Sequence, residues 1–149
     1  MMRKILLIVI MLFISSCGYK PIYLGNNEFK GEFNEITLEG DIKINRQIIN
    51  SLNLNTNLMS TKKLTLKTNY VIVPTSKDSK GQVETYRSLI KTLIIIKENK
   101  KIINSKNLES EILYSNKENK FELKKHQDQI KKNLTNKISE QILIILNLL

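Results

Sequence analysis

The chain has 149 residues, a formal net charge of +10 and one cysteine. A single cysteine excludes an intramolecular disulfide, and the length suits one domain with its own hydrophobic core. The lack of tryptophan and the low aromatic content, 6% of residues, argue against a stacking platform for bases or sugars. The positive charge favours a polyanionic partner. Compositional bias offers a second explanation of that charge, because the chain is rich in Lys, Asn and Ile and has no alanine.

The N-terminus has the three-part layout of a secretory signal. A basic pair, Arg3 and Lys4, precedes a run of apolar residues (5–14), and two serines follow. The apolar run is shorter than the roughly 20 residues that span a bilayer. The order of basic, apolar and small segments therefore predicts a signal peptide over residues 1–16. A buried N-terminal helix and a stop-transfer anchor are the alternatives.

The only cysteine lies directly after that signal. The segment Ile14-Ser15-Ser16-Cys17 looks like a bacterial lipobox, in which the cysteine becomes the new N-terminus. We therefore predict that the chain is cleaved before Cys17 and that lipid, including palmitate, is attached covalently to this residue. No other cofactor is predicted. Two or three acyl chains hold a protein firmly on a membrane. Gly18 stands directly after the cysteine, where an aspartate would favour retention at the inner membrane, so the outer membrane is expected. Export from the cytoplasm disfavours nucleic acid as a partner.

The segment after the cysteine is predicted to lead into a single domain. Residues 17–32 contain glycines, a proline and an Asn pair, which indicates an extended, lipid-anchored lead before a domain over residues 33–149. A short alternating pattern predicts a first strand over 33–38. Asp41 then stands where it would cap a helix that ends at about residue 54.

Three strands are predicted to follow as a meander. Alternating apolar residues indicate strands over 63–73 and 82–97, joined across a turn at 76–81. A second polar turn leads into a fourth strand over 102–114, with an interruption expected at residues 105–106.

The last third of the chain changes to a helical period. Apolar residues recur every three or four positions over 122–149, which predicts a long amphipathic helix with a lysine-rich opposite face. Residues 142–149 are apolar nearly all round, so deep burial is expected there, by the sheet or by a partner. The element order β-α-β-β-β-α predicts an α+β fold in which two helices pack on one face of a four-stranded, mainly antiparallel sheet.

The residues that begin at the cysteine resemble a known family. The segment Cys17-Gly18-Tyr19-Lys20-Pro21-Ile22-Tyr23 is similar to the start of the mature lipopolysaccharide-assembly lipoproteins of the LptE family, in their alphaproteobacterial form. This motif covers seven residues, and the predicted order of elements matches that family over most of the mature chain. The resemblance implies two helices against one face of a four-stranded sheet.

The resemblance also implies a function. Members of the family are outer-membrane lipoproteins, anchored on the periplasmic side, that plug the LptD β-barrel, help it assemble and assist lipopolysaccharide transport to the cell surface. The implied partners are an LptD-type barrel, lipopolysaccharide and outer-membrane lipid, and no enzymatic activity is expected. The closing helix departs from the family, where it is usually Ala- and Arg-rich, because here it is Lys- and Ile-rich. Only Cys17 is therefore carried over as a functional residue.

Basic residues in and beside the predicted hairpin form a candidate lipopolysaccharide site. Cations that share one sheet face suit a phosphate-bearing glycolipid, and Arg87 is the best bidentate donor among them. An ordinary solvated strand face is the alternative. The candidates are Lys62, Lys63, Lys67, Arg87 and Lys91.

Two other functional classes stay open. One is a different small envelope lipoprotein that serves as an assembly factor or as a transporter accessory subunit. The other is an envelope hydrolase that uses Glu109 and Glu111, which share a predicted strand face. No metal site is predicted, because no cluster of Cys and His occurs, and the single histidine, His126, is expected to be solvated on a polar helix face.

Overall fold

The computed structural model describes residues 31–149. The predicted signal peptide, Cys17 and the lead up to residue 30 lie outside the described residues. Strands and helices follow one another along the described chain with short connections. They are β1 Glu32–Phe33, β2 Glu35–Gly40, α1 Ile42–Ser51, β3 Asn55–Thr56, β4 Lys62–Lys77, β5 Val83–Glu98, β6 Lys101–Ser115 and α2 Lys120–Leu146.

Four of these strands form one sheet in the order β2-β4-β5-β6. β2 is parallel to β4, and the remaining neighbours are antiparallel. The parallel pair needs a crossover connection, which α1 provides. β1 and β3 form a separate, two-residue parallel pair. The predicted α+β fold is confirmed, and the β1–β3 pair is an addition that is too short to show a sequence pattern.

Both helices pack on one side of the sheet, which we call the inward face, and the opposite side is the outward face. Alternation turns Leu64, Leu66 and Thr68 of β4 inward, and the antiparallel register places Leu66 opposite Ile94 of β5. α2 adds a stripe of residues spaced by three or four positions to the same core. The fully buried apolar side chains include Phe33, Ile44, Ile48, Ile90, Ile94, Ile96, Leu134, Ile138 and Ile142.

Asp41 ties the start of α1 to the sheet and to α2. Its Oδ1 accepts a hydrogen bond from the Ile44 amide at 3.1 Å, the predicted helix cap. Its own amide donates to the Thr68 carbonyl at 2.8 Å, and its Oδ2 lies 3.1 Å from Lys131 Nζ. Burial raises the pKa of Asp41, but the Ile44 amide and the Lys131 ammonium outweigh burial and hold the pKa below its usual value.

We expect Asp41→Ala to lower the free energy of unfolding by about 2 kcal/mol, because it removes the cap and leaves Lys131 unpaired. Asp41→Asn should cost less, since the amide oxygen still caps the helix. Urea unfolding measures both losses. Lys131→Met, which removes the ion pair and spares the cap, is the matched control.

The pH dependence of that stability has a defined sign. Because the folded-state pKa of Asp41 is depressed, its contribution is fully present above the pKa of the unfolded chain, about 4, and is lost as the pH falls through the lower folded value. The gap between the wild type and Asp41→Asn should therefore persist from neutral pH down to about pH 4 and close as the pH falls further. A gap that does not change with pH would contradict a charge interaction at Asp41.

The first strand and the first helix both differ from their predicted bounds. The strand predicted over 33–38 is divided into β1 and β2 at Asn34, whose amide donates to the Lys62 carbonyl at 2.6 Å. α1 ends at Ser51, earlier than expected. The chain then turns through Asn53, which takes a left-handed φ of 49°, a conformation that asparagine tolerates better than most residues.

The interruption predicted at residues 105–106 is wrong. β6 continues through those residues, and its irregularity lies at Ile103, where the pairing passes from Ile96–Asn104 to Lys97–Ile102 and leaves Ile103 as a bulge. Polar residues fit in β6 because it is an edge strand, where side chains meet solvent. β4 also extends further than predicted, to Lys77, and β5 begins one residue later, at Val83, so that their turn covers residues 78–82.

The C-terminal tail is buried on one side only. Ile142, Ile145 and Leu146 are buried, whereas Leu148 is 79% exposed and Ile144 is also exposed. Within this chain, the predicted deep burial is confirmed for that stripe and is wrong for the other side of the tail. A straight helix turns only one side toward the sheet.

Candidate functional site on the outward sheet face

Four of the five predicted lipopolysaccharide-binding residues share the outward face. Lys63 and Lys67 project from β4, and Arg87 and Lys91 project from β5, because side chains two or four positions apart on a strand point the same way. Lys62 does not join them. It is opposite in phase to Lys63 and is half-buried, so the structure separates it from the other four.

Each of these four cations meets a carboxylate on the next strand. The parallel register of β2 with β4 and the antiparallel register of β5 with β6 bring three of these pairs directly opposite one another, and Glu111 is diagonal to Arg87. All four pairs are about half exposed, a setting in which an ion pair contributes about 0–1 kcal/mol. The pairs are Lys63–Glu35 at 2.7 Å, Lys67–Glu39 at 3.6 Å, Arg87–Glu111 at 3.6 Å and Lys91–Glu109 at 3.2 Å.

Arg87, like Lys67, makes only a long contact with its carboxylate. Its Nη1 lies 3.6 Å from Glu111 Oε2, which is longer than a hydrogen bond. Its Nε is buried and has no hydrogen-bond partner within residues 31–149. By contrast, Lys63 donates a hydrogen bond to Glu35 at 2.7 Å, and this bond and the charge of Lys63 lower the pKa of Glu35. Arg87 therefore keeps more donors for an added anion than Lys63 does.

Apolar side chains lie among the ion pairs, and we call them the apolar band. Val71 of β4 is paired directly with Leu89 of β5, and Leu93 follows along β5 beyond Lys91, which interrupts the band. Leu113 of β6 extends it to the sheet edge and is 63% exposed. The outward face thus mixes apolar side chains with charged ones, and both kinds occur in protein interfaces.

Sequence reasoning missed this apolar band, although the chain carried a signal for it. Leu93-Ile94-Ile95-Ile96 is an unbroken apolar run inside an otherwise alternating strand. A run of that kind indicates a strand covered on both faces. The inward residues of the run are covered by the helices, and Leu93 and Ile95 are left half-buried on the outward face.

The other residues singled out from the sequence have different surroundings. His126 is half-buried and meets the ring of Tyr114 edge-on, with centroids 5.5 Å apart, so the expectation of a solvated histidine is wrong. Tyr114 in turn stacks on Tyr86. Glu109 and Glu111 lie side by side on open sheet surface, not across a cleft, and each has a cation as its neighbour.

Two further observations concern membranes and metals. Within residues 31–149, no helix is both long enough and apolar enough to cross a membrane. In the same range, no three side chains of His, Cys, Asp or Glu come together in a way that would hold a metal ion.

Comparison with solved structures identifies proteins of the same fold. Rare lipoprotein B from Shewanella oneidensis has a TM-score of 0.59 at 13% identity, over 76% of this chain and 94% of that one. An uncharacterized lipoprotein B from Nitrosomonas europaea has a TM-score of 0.62 at 10% identity, over 83% and 88%. A minor lipoprotein from Acinetobacter baumannii has a TM-score of 0.51 at 13% identity, over 76% and 90%.

Comparison of the sequence, by contrast, gives no match. No protein-family profile and no curated protein matches this chain. At identities of 10–13% the structural likeness shows the fold alone. This chain therefore shares its two-helix, four-stranded architecture with these bacterial lipoproteins.

Proposed function

We propose that this protein is an outer-membrane lipoprotein, anchored through lipid on Cys17, that plugs an LptD-type β-barrel and helps it assemble. In that position it assists lipopolysaccharide transport to the cell surface, and it acts by binding and scaffolding, not by catalysis. The observation that carries the proposal is the outward face, where an apolar band lies among ion pairs, on the fold of bacterial lipoproteins.

The chemistry of the outward face favours a protein wall over a purely anionic ligand. The ion pairs balance four cations with four carboxylates, so the paired residues carry no net charge, and Lys97 is the further cation that this face adds at one end. Apolar area removed from water supplies most of the stabilisation in such contacts, and exposed ion pairs supply little. Those weak pairs are also easily exchanged, so a phosphate can replace a carboxylate beside Arg87 while the apolar band stays in contact with the barrel.

Site-specific photo-crosslinking in intact cells tests the proposal. A crosslinker at Leu113 reports on the outward face, and one at Asn136 reports on the exposed side of α2. Because a lumen surrounds its plug, both positions should capture the same outer-membrane barrel. Capture from Leu113 alone would indicate docking on one side of a barrel and overturn the plug. Capture of inner-membrane transporter subunits would favour the accessory-subunit alternative.

Charge reversal tests the lipopolysaccharide contact separately. We expect Arg87→Glu with Lys91→Glu to weaken lipopolysaccharide binding about tenfold or more, because two phosphate donors become repulsive neighbours. Binding is measured by titration of the purified protein with lipopolysaccharide.

A charge swap is the matched control. Arg87→Glu with Glu111→Arg keeps the net charge of the outward face and moves the guanidinium to a diagonal position on the next strand, about 7–8 Å away. It should retain most of the affinity. Equal binding by the wild type and the double reversal would remove these residues from the lipopolysaccharide site.

A further inference from the structure

One end of the domain gathers the segments nearest to the predicted anchor. Asn34, Ser60 and Lys100 line a single cavity there, so the start of β2, the loop before β4 and the β5–β6 turn all meet. Cys17 lies 14 residues before residue 31, and an extended segment of that length reaches at most about 50 Å. We call this region the anchor-proximal end.

The cavity at the anchor-proximal end is basic. It has a volume of about 430 Å³, three lysines contribute to its lining, and the other lining groups are hydroxyls and amides, with no carboxylate among them. Lys63 is held by Glu35, whereas Lys97 and Lys100 form no ion pair within the described part of the chain. A space of this size and charge suits a phosphate headgroup.

Exposed apolar side chains stand beside the cavity. Leu58 and Met59 are 89% and 91% exposed, although both lie on a loop whose backbone is held in place. Asn34 Nδ2 donates to the Leu58 carbonyl at 3.0 Å, and Ser60 Oγ donates to the Glu32 carbonyl at 2.7 Å. The loop therefore presents two apolar side chains to the surroundings in a fixed position.

The turn that carries the cavity lysine has an unfavourable backbone. Asn99 and Lys100 have φ values of 47° and 69°, both in the left-handed region. Such two-residue hairpin turns favour glycine at the second position, and a lysine there opposes folding. The chain thus keeps a cation at a position where folding alone would favour glycine, as is common at binding sites.

We propose that the anchor-proximal end binds the surface of an anionic phospholipid bilayer. A headgroup phosphate enters the cavity between Lys97 and Lys100, and Leu58 and Met59 insert at the boundary between headgroups and acyl chains. A basic, apolar-tipped patch beside a lipid anchor gives a protein two independent membrane contacts. The proposal goes beyond the barrel contact, because it concerns phospholipid and a different end of the domain.

Co-sedimentation with vesicles tests the proposal on the mature chain with Cys17→Ser, so that no acyl chain contributes. The chain should bind phosphatidylcholine–phosphatidylglycerol vesicles and not pure phosphatidylcholine vesicles. Lys101 follows the turn directly and is exposed. Lys97→Gln, Lys100→Gly and Lys101→Gln together should weaken binding on the order of 100-fold, about fivefold for each lysine near the surface. Leu58→Ser with Met59→Ser should weaken it about tenfold without any change in charge.

Two controls separate the site from general charge and from unfolding. Lys120→Gln, Lys125→Gln and Lys132→Gln remove the same charge from exposed positions on α2 and should leave binding within about twofold. Lys100→Gly alone should weaken binding about fivefold while it raises the melting temperature, because glycine suits the left-handed turn. The proposal would be overturned if the two triple lysine variants lost equal vesicle affinity. It would also be overturned if Lys100→Gly, or the Leu58 and Met59 variant, bound vesicles as the unsubstituted domain does. Neither result bears on barrel crosslinking.

Discussion

Gly40→Ala should lower the free energy of unfolding by about 3–4 kcal/mol, a large share of the stability of a small domain. Gly40 has a φ of 77°, and a Cβ built on it would lie 2.1 Å from the Thr68 carbonyl oxygen. That carbonyl is backbone of the central strand β4 and already accepts the Asp41 amide at 2.8 Å, so it has little freedom to withdraw. The substitution therefore forces β2 away from β4 at the point where α1 begins.

Gly81→Ala is the matched control for this prediction. Gly81 has a φ of 81°, nearly the same backbone, but a Cβ there would meet no atom within 4 Å. It should cost only about 1 kcal/mol, the penalty for a left-handed residue. Denaturant unfolding of the two variants separates backbone conformation from steric contact. Equal costs would show that the approach of Gly40 to β4 has no energetic weight.

Cys17→Ala should abolish lipid attachment and release the protein from the membrane. The thiol is the only site in the chain where the predicted acyl glyceride can form a thioether. Each acyl chain contributes roughly 0.8 kcal/mol per buried methylene, so the loss of two or three chains lowers membrane affinity by several orders of magnitude. Labelling with radioactive palmitate and fractionation of cell envelopes measure the two effects.

A small-residue exchange controls for the processing step. Ser16→Gly keeps the residue before the cleavage site small and should leave labelling intact, whereas Cys17→Ala should show none. Labelling of Cys17→Ala would disprove the predicted anchor. Residual membrane association without labelling would instead measure how strongly the anchor-proximal end holds the bilayer by itself.

Local patterns were sufficient to predict the two helices and the four strands of the main sheet. Alternation at Leu64, Leu66 and Thr68 predicted β4, and the Asp41 cap marked the start of α1. The helical spacing of Ile130, Leu134 and Ile138 predicted α2 and the face that it buries. These features depend on neighbours within a few positions, so a single sequence contains them.

The candidate site was predicted only in part, because its geometry depends on strand pairing. The shared face of Arg87 and Lys91 follows from their spacing in one strand. The pairing of Lys67 with Glu39, in contrast, needs the parallel register of β2 against β4 across 28 residues of sequence. Nothing local specifies that register, so carboxylates that neutralise the cationic strip were not foreseen.

The order of synthesis gives α2 a further importance. Residues 120–146 supply the stripe from Ile130 to Leu146 that covers the inward faces of β5 and β6, and they are the last element of the fold to be made. The β4–β5–β6 meander forms from contacts close in sequence, so it can assemble early. Its inward face nevertheless remains open to water and to other unfolded chains until α2 arrives. A growing chain that stops short of α2 therefore exposes the apolar surface of the meander, so any protection of that surface must act before α2 is made.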